Sequence, residues 1–220
     1  MKLFGRKKGR KISSKKLDLI NKLLPNISLD NKTIFNQILS SKKKKFLEVG
    51  FGHGENLIKL SQDRPDWVFL GVEYFVNGVA SILDKIDSEK IKNIFILHGD
   101  GRDFLKKLPK NSISESCILF PDPWQKSKHS ERRIIQKSFI NTLSDIMKIN
   151  SKLHISSDDP VAQEWILKCF IFNENFEWNI KSVDECFYKP EIFEETKYMR
   201  KSILENRKSM WFKFKNIKES

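Results

Sequence analysis

The sequence of 220 residues is poor in cysteine and has no long apolar run. Its three cysteines, Cys117, Cys169 and Cys186, are odd in number and form no CxxC pair, so neither a disulfide framework nor a zinc site is indicated. No apolar stretch approaches the roughly 20 residues that span a bilayer, and no apolar secretory segment stands at the start. We therefore expect a cytoplasmic protein with no membrane partner and no metal.

Acidic residues are outnumbered by basic ones and are missing from the start of the chain. Residues 1–16 carry eight Lys or Arg and no acid, and the whole chain has 41 Lys and Arg against 28 Asp and Glu, a net charge of +13. Such an excess favours a polyanionic partner, with nucleic acid the natural candidate. We predict a flexible basic arm over 1–16, which is alternatively a merely solvated tail, and a single domain over 17–220.

Short apolar runs alternate with helix-like stretches along most of the chain. The predicted strands are 45–50, 67–74, 93–100, 114–120 and 152–158, and the predicted helices are 54–63, 77–87, 101–108, 131–149 and 160–171. Continuous hydrophobicity within the strands is typical of a parallel sheet covered on both faces. The partly alternating segments 176–183 and 210–217 suit two further antiparallel strands. This pattern predicts a doubly wound, Rossmann-like α/β fold with a mostly parallel sheet and an antiparallel C-terminal strand pair.

Acidic side chains follow four consecutive predicted strands, at the edge where such sheets bind ligands. They are Glu48 with the glycine loop Gly50, Gly52 and Gly54, then Glu73, Asp100 and Asp122. A dinucleotide loop would read G-x-G-x-x-G, but Glu55 occupies its third glycine position and would repel a pyrophosphate. S-adenosylmethionine fits better, because its sulfonium, ammonium, ribose hydroxyls and adenine amine all suit acidic acceptors. Glu73 is placed for the ribose and Asp100 for the adenine.

The segment FPDPWQKSKHSERRI, residues 120–134, joins a rigid acid to an aromatic residue and a basic cluster. Pro121 and Pro123 restrict the backbone around Asp122, and Trp124 offers a ring face on which a base can stack. Four cations follow that can reach phosphates: Lys126, Lys128, Arg132 and Arg133. The alternative is a solvated basic loop with Trp124 in the core. Four other tryptophans are assigned to the core, namely Trp67, Trp165, Trp178 and Trp211.

These stretches together resemble the bacterial tRNA (guanine-N7)-methyltransferase family over about residues 40–214. The resemblance rests on Pro-Asp-Pro-Trp with its following Lys, His and paired Arg, on EVGFGHG, on GVEY and HGD, on Asp158, and on TKY at 196–198. It implies that a methyl group passes from S-adenosylmethionine to N7 of a guanosine at position 46, in the variable loop of tRNA. A class I methyltransferase fold is implied with it.

The resemblance also implies roles for individual residues. Acids matching Glu48, Glu73, Asp100 and Asp122 line the cofactor pocket, and the one matching Asp122 is also the active-site residue. Substrate contacts are implied for Lys126, Asp158, Thr196, Lys197, Tyr198 and Met199. Guanine N7 carries a lone pair and no proton, so we expect Asp122 to orient and stabilise the reactants and to remove no proton.

The chain departs from the family near its C-terminal motif. Met199 stands where many relatives have Glu, and the glycine usual a few residues later is missing from KSILENRKSMW. Glu194, Glu195 or Glu205 is a candidate substitute for guanine recognition. Two alternatives therefore stay open, methylation of an exocyclic amine and a non-catalytic RNA-binding protein of the same fold. Monomer and homodimer are equally compatible with the sequence.

Overall fold

The computed structural model describes Gly9 and residues 11–218, which form an α/β fold with one seven-stranded sheet. The strands are β1 Lys45–Val49, β2 Val68–Glu73, β3 Ile94–His98, β4 Ile113–Leu119, β5 Met147–Ser157, β6 Phe176–Trp178 and β7 Met210–Asn216. The helices are α1 Ser14–Lys22, α2 Leu24–Ile27, α3 Lys32–Ser40, α4 Glu55–Asp63, α5 Val76–Ser88, α6 Gly101–Leu105, α7 Lys137–Ile146, α8 Pro160–Ile171 and α9 Lys197–Leu204. Two 3₁₀ helices span Ser127–Arg132 and Val183–Phe187.

The strand order is β3-β2-β1-β4-β5-β7-β6. β1 pairs with β2, β2 with β3, and β4 with β5, all in parallel, whereas β7 pairs antiparallel with both β5 and β6. This order changes direction along the chain after β3, as in doubly wound sheets. The predicted fold class, including the antiparallel C-terminal pair, is confirmed.

By its internal contacts the chain divides into two compact units. The N-terminal unit contains the described residues up to Gly101 together with Ile192–Glu194, and the C-terminal unit contains Arg102–Glu191 and the residues after Glu194. Residues 1–8 and 10 of the predicted basic arm lie outside the described residues, as do 219 and 220. The boundary proposed after residue 16 stays a prediction, and α1 begins at Ser14.

The N-terminal unit has its core around β1 and β2, which are buried along their whole length except at Glu73. Helices α4 and α5 bury the apolar stripes that include Leu57, Leu60, Ile82 and Leu83. Burial on both faces explains why these strands read as continuous apolar runs. Helix α1 has no buried residue, and its Lys15 forms an ion pair of 2.7 Å with Asp84 of α5.

The C-terminal unit packs its core against β5 and β7. Trp211, Phe212 and Phe214 of β7 are buried, and the Phe214 ring stacks on Phe170 with centroids 4.0 Å apart. Of the four tryptophans assigned to the core only Trp211 is fully buried, while Trp67, Trp165 and Trp178 are half-buried. Within the described part of the chain, no helix has both the length and the apolar character needed to cross a membrane.

The predicted helix over 131–149 is shorter at both ends than expected. Its start is displaced because the Gln136 amide donates to the carbonyls of Ser130 (2.8 Å) and Arg133 (3.2 Å), which holds the preceding residues in an irregular loop. Its end is displaced because residues 147–149 join β5, where Met147 pairs with Ile113 of β4. The Asn216 amide donates to the carbonyls of Ser144, Met147 and Lys148 at this junction.

Candidate active site

The glycine loop after β1 depends on a left-handed backbone at three positions. Gly50, Gly52 and Gly54 have φ of 80°, 56° and 79°, a region that side chains other than glycine rarely adopt. The Gly50 amide donates to the Val72 carbonyl at 2.8 Å, which fixes the loop to the end of β2. A Cβ at Gly50 would meet no atom within 4 Å, so open space lies beside it. The loop thus leaves room for a ligand at Gly50.

Gly78 supports the same loop, and sequence reasoning missed it. It lies in the first turn of α5, and a Cβ there would be 2.1 Å from the Gly52 carbonyl oxygen. That distance is far below van der Waals contact, so only glycine allows α5 to approach the loop this closely. The sequence gives little indication of this contact, because an isolated glycine in a helical pattern does not show which segment packs against it.

Glu73 holds the glycine loop with its own carboxylate. Oε2 accepts from the Gly52 amide at 2.7 Å, and Oε1 accepts from the amides of Tyr74 (2.7 Å) and Phe75 (2.8 Å). A carboxylate has about four acceptor positions, so three are engaged by backbone donors. Its predicted ribose contact would therefore be an addition to a structural role.

Glu48 is an acid buried inside the N-terminal unit, with 2% of its surface exposed. Burial, the largest cause, raises the pKa of its carboxyl from 4.5 to about 8, and the charges of Glu55 and Glu73 act in the same direction. The neighbouring Asn56 side chain acts in the opposite direction and lowers the pKa of Glu48. Among the described residues, the Asn56 amide nitrogen lies too far from any acceptor for a normal hydrogen bond. In that same part of the chain Oε2 of Glu48 has no hydrogen-bond partner. This buried acceptor suits a ligand that brings a cation or an N–H donor.

Asp100 lies two residues beyond β3 and is half-buried. β2 and β3 are parallel with Glu73 opposite His98, and the Gly99 amide donates to the Glu73 carbonyl at 3.1 Å. The structure therefore places Glu73 and Asp100 at one edge of the sheet, together with Glu48 and the glycine loop. All six cofactor positions predicted in the N-terminal unit share that edge.

In the C-terminal unit, the Pro-Asp-Pro-Trp segment runs between two aromatic residues with unusual backbone angles. Phe120 and Trp124 have φ of 51° and 42°, a conformation that bulky residues adopt only when their surroundings impose it. The Phe120 amide donates to the Ser156 carbonyl at 2.9 Å, and its ring meets Trp211 edge-on. Backbone strain of this kind is found at functional sites.

Arg133 imposes the conformation of this segment from inside the protein. Its guanidinium donates to the carbonyls of Pro123 and Trp124, both at 2.9 Å, and lies over the Trp165 ring at 4.6 Å. Only 6% of Arg133 is exposed. Its predicted role as a phosphate contact is therefore corrected, because the guanidinium faces the segment and not the solvent.

Asp122 is exposed by surface area, but neighbouring atoms displace part of its hydration and raise the pKa of its carboxyl. Trp124 carries Arg132 over its ring at 5.0 Å and meets His129 edge-on at 5.8 Å. Loss of hydration and the nearby cations lower the pKa of His129. Lys126 and Lys128 are exposed and available to anions.

The C-terminal motif begins helix α9. Thr196 is its N-cap, and the hydroxyl oxygen accepts from the Met199 amide at 3.2 Å. Lys197 and Tyr198 are exposed, and Met199 is half-buried. Helix α9 ends just before Asn206, whose φ of 52° supplies the left-handed residue that the missing glycine would provide.

Asp158 follows β5 and forms an ion pair that the sequence did not reveal. Arg207 Nε donates to its Oδ2 at 2.7 Å, and Nη1 of the same guanidinium pairs with Glu205. The next residue, Asp159, caps α8 through the Ala162 amide and accepts from the Gln125 amide at 2.7 Å. Because 49 residues separate Asp158 from Arg207 in sequence, only the fold could pair them.

Solved RNA methyltransferases share this fold. The crystal structure of the 16S rRNA methyltransferase KamB matches with a TM-score of 0.62 over 86% of this chain and 94% of that chain, at 13% identity. An rRNA methylase from Streptococcus thermophilus matches with a TM-score of 0.54 over 83% and 91%, at 11% identity. The fold is therefore the Rossmann-like fold of these solved structures.

The family is defined by sequence. Residues 42–211 match the family described as "Putative methyltransferase". The tRNA (guanine-N(7)-)-methyltransferase of Wolbachia pipientis wMel is 33% identical over 198 residues, 88% of this chain and 85% of that protein. The protein of the same name from Bradyrhizobium diazoefficiens is 32% identical over 220 residues, 96% and 92% of the two chains. This chain belongs to the tRNA (guanine-N(7)-)-methyltransferase family.

Proposed function

We propose that this protein transfers the methyl group of S-adenosylmethionine to N7 of a guanosine in tRNA, and that the guanosine is position 46 of the variable loop. Membership of the family supports the reaction. The observation that carries the proposal in this chain is Glu48, a buried carboxylate without a partner for Oε2 among the described residues, beside a glycine loop with open space at Gly50. The position in tRNA rests on the resemblance alone.

The residues of the N-terminal unit fit S-adenosylmethionine. Glu48 would receive the ammonium group, since a buried carboxylate gains most from a donor that carries positive charge. Glu73 would accept from the ribose hydroxyls, and Asp100 from the adenine amine. The bare backbone at Gly50 lets the ligand approach closely. When bound, the cofactor supplies an electrophilic methyl group on a sulfonium.

The reaction requires positioning more than acid–base chemistry. The N7 lone pair forms the bond to the methyl carbon while the carbon–sulfur electron pair passes to sulfur, and no proton moves. Aligning nucleophile, carbon and sulfur contributes up to about 7 to 11 kcal/mol in favourable cases. Asp122 would orient the reactants and stabilise the positive charge that develops on the purine, and Arg133 would hold the segment that carries it.

The RNA-binding face of the C-terminal unit is proposed from Trp124 and the exposed cations around it. Lys126, Lys128 and Arg132 would contact phosphates, and Trp124 would stack on a base. Asp158 and the motif of Thr196, Lys197, Tyr198 and Met199 would contact the target nucleotide. Because the Thr196 hydroxyl accepts from the Met199 amide and caps α9, its main role would be to fix the backbone of this motif. The cytoplasm is the compartment we propose for a protein that acts on tRNA.

Mapping the methylated nucleotide tests the proposal. The pure chain would be incubated with labelled S-adenosylmethionine and a tRNA transcript, followed by borohydride and aniline treatment, which cleaves at 7-methylguanosine. We expect one cleavage, at position 46, and none in a transcript with adenosine there. Label in an exocyclic amine would instead support the alternative reaction. Failure to bind S-adenosylmethionine at micromolar concentration would support a non-catalytic RNA-binding protein.

The role of Asp122 is tested separately. Asp122→Ala should reduce turnover by at least about 100-fold, because an oriented electrostatic contact of the transition state is lost. Affinity for tRNA should stay within a few fold of the parent chain. Loss of tRNA binding with intact cofactor binding would make Asp122 a substrate-binding residue instead.

A further inference from the structure

Asp158 and the Pro-Asp-Pro-Trp segment leave the sheet at the same edge. β4 and β5 are parallel, with Leu119 opposite Ser156, and the Phe120 amide donates to the Ser156 carbonyl. Asp122 follows Leu119 by three residues, and Asp158 follows Ser156 by two. Side chains after neighbouring parallel strands share one end of the sheet. The surroundings of Asp158 therefore bear on any base that reaches Asp122.

Arg207 is fixed beside Asp158 by its side chain and its backbone. Its Nε donates to Asp158 Oδ2 at 2.7 Å, while Nη1 pairs with Glu205. The Arg207 amide donates to the Ser202 carbonyl at 2.9 Å, and the buried Ser202 hydroxyl donates to the Arg207 carbonyl at 3.1 Å. Two acids thus orient the plane of the guanidinium, and α9 holds its main chain.

This ion pair engages only part of each charged group, since Nε and Nη1 of Arg207 and Oδ2 of Asp158 are the atoms that take part. Among the described residues, neither Nη2 of Arg207 nor Oδ1 of Asp158 makes a hydrogen bond. The side chains are 38% and 16% exposed, so a ligand can reach them. The ordered pair is therefore complementary to a ligand edge that carries an acceptor next to a donor.

The Watson–Crick edge of guanine has that arrangement. O6 accepts and N1–H donates, whereas adenine reverses both groups and would meet Arg207 with a donor and Asp158 with an acceptor. A base held at its Watson–Crick edge keeps N7 free, because N7 lies on the Hoogsteen edge. Bases in RNA loops expose this edge to proteins.

We propose that Arg207 is a specificity-determining residue that donates to guanine O6 while Asp158 accepts from N1–H. The proposal rests on the proposed function and adds a residue to its guanine site. It also accounts for the methionine at 199 in this chain. Glu205 was a candidate for guanine recognition in place of the glutamate that relatives have at position 199. In this proposal it acts indirectly, by orienting Arg207.

The test combines protein variants with altered target bases. Transcripts would carry guanosine, 2-aminopurine riboside (without O6 and N1–H) or inosine (without the 2-amino group) at the target position. The parent chain, Arg207→Met and a charge-matched control, Lys148→Met on exposed β5, would each be assayed for kcat/KM. We expect Arg207→Met to lower kcat/KM for guanosine by about 10- to 100-fold, the range for a charge-assisted hydrogen bond.

The ratio between bases is the decisive measurement, since a general loss of stability cancels in it. In Arg207→Met the preference for guanosine over 2-aminopurine riboside should fall by about 10-fold or more, while the preference for guanosine over inosine changes less than about threefold. Arg207→Lys should lose most of the same preference, because an ammonium lacks the guanidinium fork. Lys148→Met should keep all the ratios of the parent.

An equal reduction with every base, together with a smaller salt dependence, would make Arg207 a phosphate contact and overturn the proposal. Unchanged ratios would overturn it as well. Both results are distinct from failure of the proposed function, which would appear as a parent chain that does not methylate the guanosine transcript at N7 at all.

Discussion

At the scale of single residues, Glu48 combines burial with an acceptor that has no partner in the described part of the chain. Burial penalises its ionised form, so the pKa of its carboxyl rises to about 8 in the folded state. A ligand that brings a positive charge would reverse this penalty. Such a ligand would therefore stabilise the fold most at alkaline pH, where Glu48 is ionised.

The first prediction concerns stability against pH. Because the folded-state pKa of Glu48 lies above its ordinary value of 4.5, the folded chain retains this proton longer than the unfolded chain. The contribution of Glu48 to the free energy of unfolding should therefore fall as pH rises from about 4.5 to about 8. Glu48→Gln should remove that fall and be more stable than the parent at pH 8, by a few kcal/mol at most.

Urea unfolding between pH 5 and pH 9 measures this difference. Glu174→Gln, at an exposed position, is the control and should follow the parent chain. A Glu48→Gln curve parallel to that of the parent would contradict the assigned shift. Calorimetry should show weaker S-adenosylmethionine binding by Glu48→Gln.

The second prediction concerns the paired arginines, Arg132 and Arg133. Arg133→Met removes the donors to two carbonyls of the Pro-Asp-Pro-Trp segment and should lower the free energy of unfolding by about 1 to 3 kcal/mol. Arg132→Met should change it by less than about 0.5 kcal/mol but weaken tRNA binding. Chemical denaturation measures the free energy of unfolding, and filter binding measures the affinity for tRNA. A large loss of stability in Arg132→Met together with weaker tRNA binding by a stable Arg133→Met would refute the roles given to both residues.

At the scale of secondary-structure elements, the cofactor site is formed by the fit of α5 against the glycine loop. Gly78 allows that fit, since any side chain there would collide with the Gly52 carbonyl. Glu73 contributes from the other side by receiving the Gly52 amide. The loop is thus held between a helix and a strand end, and its shape depends on both.

The third prediction follows from this packing. Gly78→Ala should reduce S-adenosylmethionine affinity by at least about 10-fold, because the methyl group must displace either the helix or the loop. Gly99→Ala is the matched control, since its Cβ would meet Leu97 side-chain atoms at no less than 3.5 Å. Binding is measured by calorimetry on both variants. Equal affinities in Gly78→Ala and Gly99→Ala would show that the close contact has no bearing on the site.

Across the whole molecule, positive charge is concentrated in clusters. One comprises Lys126, Lys128 and Arg132, and another comprises Lys42–Lys44, all exposed or half-exposed. Lys45 is excluded from the second cluster, because it is buried and donates to the Ser41 carbonyl at 2.6 Å. The basic arm over 1–16 is a third predicted cluster, most of it outside the described residues.

The fourth prediction is a steep salt dependence of tRNA binding. Each phosphate contact adds roughly 0.7 to 0.9 to the slope of log affinity against log salt. Replacing Lys126, Lys128 and Arg132 by Met should therefore lower the slope by about two to three, and deleting residues 1–11 should lower it further. Filter binding between 50 and 300 mM salt measures the slopes, with Lys148→Met as the control. A salt-insensitive affinity would contradict a phosphate-directed interface.

The sequence predicted the strands and the strand-end acids well, because buried parallel strands read as continuous apolar runs whose ends are marked by polar residues. It failed where the cause was a contact between distant segments. The shortened helix α7, the buried Arg133, the Arg207 to Asp158 pair and the approach of Gly78 to Gly52 all depend on residues that only the fold brings together. Local pattern carries no information about such contacts.

The carboxylate of Glu73 has a consequence for how a ligand enters. Three backbone amides donate to its two oxygens, so contacts within the protein itself fix the shape of the loop. Ligand binding then costs little conformational entropy of the loop. This favours high affinity even when the contact area with the ligand is small. Replacing Glu73 would consequently loosen the glycine loop. A weaker ligand affinity in such a variant would report the altered loop as much as the loss of a direct contact between Glu73 and the ligand.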